Sequence, residues 1–382
     1  MHAGTLISPD NHWAMWAVLF TAAALGLWAE KTKWGAKLSA VVVTIIIGFI
    51  LSNLSIIPSD APAYDVVWSY LVPLAIPLLL FKADLRRIIK EAGPTLFAFF
   101  FGAVGTIIGT IVAFEVVTLG AEGWKLAGIF CATYIGGSMN YVAVSEALQL
   151  HSPNLLAAGV AADNLVMTVY FLILFALPSV GFLRKIFKTY HDDKAKTLTD
   201  EDIKIKNEDS ELNLLNITAS IAIAAAVCAV SYYIQGLIGL QGSAILILTL
   251  ITIAIATIFP EKMKKLGSAD QIGTMLMQVF FAVIGASASL IIVLKYGPIL
   301  FLFAGLILLI HLVFILIAGK IFNLDLSEIV IASNANMGGP TTAAAMAVAR
   351  KWDELVIPAV LCGTLGYAIA SFLGVAIGTW LK

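Results

Sequence analysis

The chain has 382 residues, of which 60% are hydrophobic and 12% charged, with a formal net charge of −1 and a mean hydropathy of +0.96. A water-soluble domain of this length does not need that balance; a polytopic membrane protein does. The near-neutral charge offers no footing for a nucleic-acid partner. Cys131, Cys228 and Cys362 lie in apolar segments without metal-ligand spacing and read as small core residues.

Twelve apolar segments follow in order. The first six cover 13–30, 39–57, 65–81, 93–118, 125–148 and 154–180. A polar connector, 181–211, rich in Lys, Asp and Glu, reads as a solvated stretch. The last six cover 212–235, 243–259, 270–294, 297–319, 327–349 and 354–381. All eight Trp residues, from Trp13 to Trp380, fall near segment ends, as an aromatic belt at two water interfaces requires. Met1 to His12 carries no Lys or Arg, so the first segment lacks a signal peptide's basic flank and is expected to be retained.

The two halves, 13–180 and 212–381, echo each other. Gly93-Pro94 and Gly297-Pro298 are expected to open the fourth segment of each half. Gly136-Gly137-Ser138-Met139-Asn140 in the fifth segment matches Gly338-Gly339-Pro340-Thr341-Thr342 in the eleventh. A Gly-Gly pair inside a membrane-length segment weakens the helix and lets the backbone turn. Freed backbone groups survive at that depth only where protein or a water-filled cavity surrounds them. Paired breaks in corresponding segments point to the substrate site of a secondary transporter.

The basic residues set the topology. If segments five and eleven enter to mid-depth, turn at Gly-Gly and leave on the same side, 20 of the 23 Lys and Arg residues fall on one face. If both cross fully, the split is 10 to 13. The positive-inside rule therefore favours two re-entrant hairpins, ten transmembrane helices and both termini outside. Each half then crosses five times, so the halves are inverted repeats. The fold class expected is an all-α polytopic membrane protein.

At 1.5 Å per residue, both tips reach ~16 Å in, from opposite sides of a ~30 Å core. A short helix begins after each tip, with Ser138, Met139 and Asn140 or Thr341 and Thr342 in its first turn. Their free N–H groups and positive dipole ends suit an anionic group. Tyr134, Asn334 and Asn336 stand just before the tips. The substrate set expected is thus Gly136, Gly137, Ser138, Asn140, Asn336, Gly338, Gly339, Thr341 and Thr342. Asp163 lies at the same depth on the sixth segment, and an ionisable residue there is a functional candidate. Asp163, Asn164 and Asn140 are the expected Na⁺ ligands; Asp163 as a proton carrier, or as a structural Asp bonded to the broken backbone, is the alternative. Glu146 reads as a carboxylate near the outer interface, and His311 as a hydrogen-bonded packing residue.

The Gly-Gly hairpins, Phe81-Lys82-Ala83-Asp84-Leu85 after the third segment, and Ala162-Asp163-Asn164 make the chain resemble the YjcL-like family of bacterial integral membrane proteins, domain-of-unknown-function family 819. The resemblance spans nearly the whole chain. That family is similar in architecture to the bile acid, citrate and glutamate sodium symporters. The citrate and glutamate carriers have Gly-Gly-x-Gly at their hairpin tips, a final Gly that this chain lacks. The resemblance implies core and scaffold subdomains and a Na⁺- or H⁺-coupled elevator carrier working as a homodimer.

Three functions compete: a cation-coupled symporter of a small organic solute, a cation/proton antiporter, and a membrane enzyme. Antiporters often use two adjacent carboxylates; here Asp163 neighbours Asn164. The enzyme reading finds no paired intramembrane His or carboxylates and no Ser/His couple at mid-depth. No cofactor beyond the coupling ion is expected.

Overall fold

The computed structural model describes residues 5–32, 39–191, 213–239, 242–288 and 290–382. Among them the chain is helical, without a β-strand; an isolated bridge pairs Lys188 with Asp325. The long helices of the first half are α1 (His12–Glu30), α2 (Ser39–Asn53), α3 (Pro62–Leu80), α4 (Gly93–Val116), α5 (Gly123–Gly136), α6 (Ser138–Ala147) and α7 (Pro153–Ala176). Those of the second are α8 (Leu214–Ile238), α9 (Ser243–Ile258), α10 (Ala269–Ser287), α11 (Leu290–Ile321), α12 (Leu326–Ala349) and α13 (Val356–Trp380). Most of the connector, 192–211, lies outside the described residues.

Eight described helices are long and apolar enough to span a membrane; α2 and α9 are apolar but shorter. α2 shows what the bilayer does to propensity. Its run Val41-Val42-Val43-Thr44-Ile45-Ile46-Ile47 is β-branched, a pattern at home in strands. It is nonetheless helical, because in lipid each backbone group must find its partner within the segment.

α3 carries the proline kink. A π-turn over Val67–Leu71 leads into Val72–Leu80, which holds Pro73 and Pro77. Pro77 has no N–H to give the carbonyl four residues back, at Pro73. The thiol of Cys228 on α8 donates to that carbonyl at 3.3 Å. The freed acceptor thus has a role in joining two helices.

Gly-Pro behaves differently in the two halves. Gly93 turns the chain at φ 55 and Pro94 sits in the first turn of α4. In the second half the expectation fails: α11 already starts at Leu290 and runs through Pro298. The apolar run Leu290-Ile291-Ile292-Val293-Leu294 continues the helical pattern upstream, and a proline inside a membrane helix is tolerated where its surroundings satisfy the freed backbone group.

The helices sort into two groups by contact. α4, α5, α6, α7, α11, α12 and α13 pack on one another, and so do α1, α2, α3, α8, α9 and α10. Within the first group α5 lies along α13 closely, whereas α12 meets α7 more lightly. The α5–α13 approach depends on small residues. A Cβ on Gly374 would sit 2.6 Å from the Ala132 Cβ, and one on Gly378 would sit 3.1 Å from the Gly128 Cα. Gly363, Gly366, Ala370, Gly374 and Gly378 form a small-residue stripe along α13, the device by which membrane helices come close.

Candidate functional site

The breaks fall where the glycine pairs are. Gly137 separates α5 from α6 with φ 77 and ψ 173. Gly339 interrupts α12 with φ 76 and ψ −165. Both values lie in a region that only glycine enters without strain. The second glycine of each pair makes the turn, in the same conformation.

Each break reverses the chain. Lys125, at the start of α5, donates to the Gln149 carbonyl just past α6, at 2.9 Å. In α12, Thr342 after the break donates to Asn334 Oδ1 before it at 2.7 Å, and the Asn334 amide reaches Met346 Sδ at 3.4 Å. At the base of this second hairpin, His191 Nε2 stands 3.7 Å from Glu328 and its Nδ1 stands 3.4 Å from Glu354. A straight helix would hold residues 328 and 354 tens of ångströms apart.

The two tips touch. The Gly137 N–H donates to the Asn336 carbonyl at 3.2 Å, and the Asn336 amide donates to the Ile135 carbonyl at 3.4 Å. α13 covers them from the side. A Cβ on Gly136 would clash with the Gly366 carbonyl, and one on Gly339 would meet the Tyr367 hydroxyl at 2.6 Å. The covering residues Gly363, Gly366 and Tyr367 are not among the expected site residues; the small-residue spacing along α13 is the signal that could have found them.

A cavity of about 1250 Å³ runs from the tips to one face of the molecule. Ser138, Gly338, Pro340, Thr341, Thr342 and Tyr367 line its deep part. Lys82, Arg86, Arg87, Lys90 and Lys264 line it too, on the face where the basic residues collect. Ser138 and Thr341 are exposed to it, and Gly136, Gly137 and Gly339 are buried behind it. The expected substrate residues therefore divide into a cavity set and a supporting set.

Asn140 and Asn336 belong to the supporting set. Asn140 donates to the Gly136 carbonyl at 2.8 Å and accepts from Ser371 at 2.6 Å. It lines a separate pocket of about 10 Å³, room for roughly one water. Asn336 is fully buried, and its Oδ1 has no hydrogen-bond partner among the described residues.

Asp163 is buried in α7, and its Oδ1 also has no hydrogen-bond partner among the described residues. The Tyr134 hydroxyl lies beside it without completing a hydrogen bond. No Lys, Arg or His pairs with Asp163 among the described residues. The Asn164 amide donates to the Val160 carbonyl at 2.8 Å. The bonds described for Asn140 thus lead to Gly136 and Ser371, and the side chain described beside Asp163 is Tyr134. No group of three or more His, Cys, Asp or Glu suited to a metal occurs among the described residues.

Comparison with known proteins decides the family. The family model described as protein of unknown function, DUF819, matches residues 17–382. The chain belongs to the DUF819 family. This DUF819 chain is 36% identical over 397 aligned positions to the uncharacterized membrane protein YjcL of Bacillus subtilis (strain 168), covering 100% of this chain and 99% of that one. With the spans described above, this DUF819 member is a multi-span membrane protein.

Proposed function

We propose that this protein is a secondary active transporter, a Na⁺-coupled symporter for a small anionic solute, working by an elevator-type exchange of access. The observation that carries the reading is the pair of matched glycine breaks, bonded tip to tip at the deep end of a cavity that opens on one face. Broken helices meeting near mid-depth are how carriers expose backbone N–H groups to a solute without exposing them to lipid. Thr341 and Ser138, at the starts of two helices, would meet the solute's anionic end.

The contact pattern supports two inverted repeats of five crossings and a hairpin. If α1, α2, α3, α4, α5–α6 and α7 correspond to α8, α9, α10, α11, α12 and α13, then the pairs α1–α2, α1–α10, α2–α10 and α3–α10 map onto α8–α9, α8–α3, α9–α3 and itself, all of which occur. In this reading the group containing both hairpins is the mobile core. The other group is the scaffold, and two copies meet through it. Both termini lie outside the inner membrane, the connector lies inside, and no enzyme activity accompanies transport.

Asp163 carries the coupling. A buried carboxylate without a cationic partner is costly unless a proton or a metal cation joins it. One observation favours the alternative, a proton as coupling ion or a cation/proton antiport: Asn140, an expected Na⁺ ligand, is already bonded to Gly136 and Ser371.

The test is the melting temperature of purified protein and of Asp163→Asn, with Na⁺ replaced by choline at constant ionic strength. A ligand that binds the folded state raises the melting temperature by mass action. Na⁺ stabilisation of the wild type that disappears in Asp163→Asn is the expected result. Equal Na⁺ stabilisation of both proteins would remove Asp163 from the cation site. No Na⁺ effect on the wild type would overturn Na⁺ coupling and leave the proton.

A further inference from the structure

His311 is fully buried near the middle of α11, and its ring joins several elements. Nδ1 lies 2.8 Å from the Gly102 carbonyl and 2.9 Å from the Thr106 hydroxyl, both on α4. Nε2 lies 2.9 Å from the Ser333 hydroxyl in the first arm of α12. Ser333 lies 2.8 Å from the Tyr170 hydroxyl on α7. Thr106 in turn donates to the Tyr134 carbonyl at 3.0 Å, next to the tip of the first hairpin.

The protons in this chain can be assigned. A backbone carbonyl only accepts, so Nδ1 carries the hydrogen that faces Gly102. Thr106 directs its own hydrogen at Tyr134, so toward the ring it accepts. No carboxylate bonds to the ring among the described residues, and the imidazole is neutral. Nε2 then accepts from Ser333, and Ser333 accepts from Tyr170. The Nδ1 hydrogen is shared between the Gly102 carbonyl and the Thr106 hydroxyl, and Nε2 has Ser333 as its donor, so the ring is held in one tautomer and one orientation.

We propose that His311 locks the two hairpins to one another and, through Thr106, positions Tyr134 against Asp163. One side of the ring holds the second hairpin at Ser333. The other holds the first through Thr106 and the Tyr134 carbonyl. The positioning part rests on the reading of Asp163 as the coupling residue; the lock does not. All residues of the chain belong to the group that contains both hairpins, and none belongs to α1–α3 or α8–α10. A lock of this placement lets one body move against another without losing the geometry of its own site. Space also argues for a fixed ring: a Cβ on Gly102 would stand 2.9 Å from His311 Cε1 and would clash with Asn336 Oδ1.

The experiment is hydrogen–deuterium exchange of the full-length protein in detergent, read on peptides spanning Gly137 and Gly339. His311→Leu is expected to speed exchange at both tips by about tenfold, as loss of buried hydrogen bonds implies. His311→Asn retains a donor toward α4 but is too short for Ser333, and is expected to loosen the second tip more than the first. Exchange at either tip within about twofold of wild type in His311→Leu would overturn the lock. If His311→Leu does not fold, Ser333→Ala and Thr106→Val each remove one side of the ring's contacts, and unchanged exchange in both would overturn it equally. The second readout is the cation concentration giving half of the melting shift. It is expected to rise about tenfold in His311→Leu with Asp163 intact. Loosened tips with an unchanged half-point would overturn the positioning of Tyr134. A wild type without any cation shift would overturn the reading of Asp163 instead, and the exchange data would still decide the lock.

Discussion

At Gly137 and Gly339 a side chain is opposed by backbone conformation, and at Gly339 by a neighbour as well. Alanine at either position must adopt φ near 77, at a cost of about 1–3 kcal/mol. At 339 its Cβ also meets Tyr367 at 2.6 Å, whereas at 137 the nearest atom is 3.4 Å away. Gly339→Ala is therefore expected to lower the melting temperature more than Gly137→Ala, and Tyr367→Ala should restore part of the difference. The sequence revealed these glycines because nothing else in a membrane-length apolar run tolerates such a break. It could not reveal Tyr367, an ordinary aromatic in an apolar helix that becomes notable only when the tips come to rest against it. Nor could it show that Asn140 turns toward Ser371, because that bond joins residues 231 positions apart.

The second hairpin is held at its base as well as at its tip. The first residues of the connector run along the turn before α12. Leu326 donates to the Lys188 carbonyl at 2.9 Å, and Tyr190 donates to Asp325 at 2.6 Å. Asp325 and Glu328 cap the helix reciprocally. His191 lies between Glu328 and Glu354, one from each end of the hairpin. The Glu328 carboxylate raises the His191 pKa above 6.5; burial opposes this, and Asp325 and Glu354 add to the rise. The protonated form gains the partners, so the stabilisation is complete below pH 6.5 and fades as pH rises through the folded value. With Glu354 half exposed, the effect is under about 1 kcal/mol. A melting-temperature scan from about pH 6 to 8 is expected to fall more steeply for the wild type than for His191→Gln. A connector read only as a charge-rich run concealed this strap, since its partners stand more than a hundred residues later.

For the molecule as a whole, legibility followed depth. Segments whose surroundings are lipid had to be apolar and helical, so they could be drawn from composition. The sequence cuts α11 short because Gly297-Pro298 reads as a start signal, whereas a membrane helix tolerates proline inside it. The proposed arrangement predicts which face each loop occupies. A single cysteine at Ser152 is expected to react with an impermeant maleimide from outside intact cells, and one at position 197 only after permeabilisation. Labelling of position 197 in intact cells would rule out the re-entrant arrangement.

The unequal grip on the hairpins has a further consequence. α13 lies tightly along α5, while α7 holds α12 more loosely. If the halves are related by a pseudo-two-fold axis, the two grips are the same contact in two degrees of closure. On the proposed transport reading, the molecule then holds both degrees of closure at once. Exchanging the conformations of the halves, with α12 drawn onto α7 and α5 released from α13, gives the coordinates of the state that opens to the other face. Spin-label distances across the α12–α7 seam should shorten, and those across α5–α13 lengthen, when the solute and its ion are supplied together.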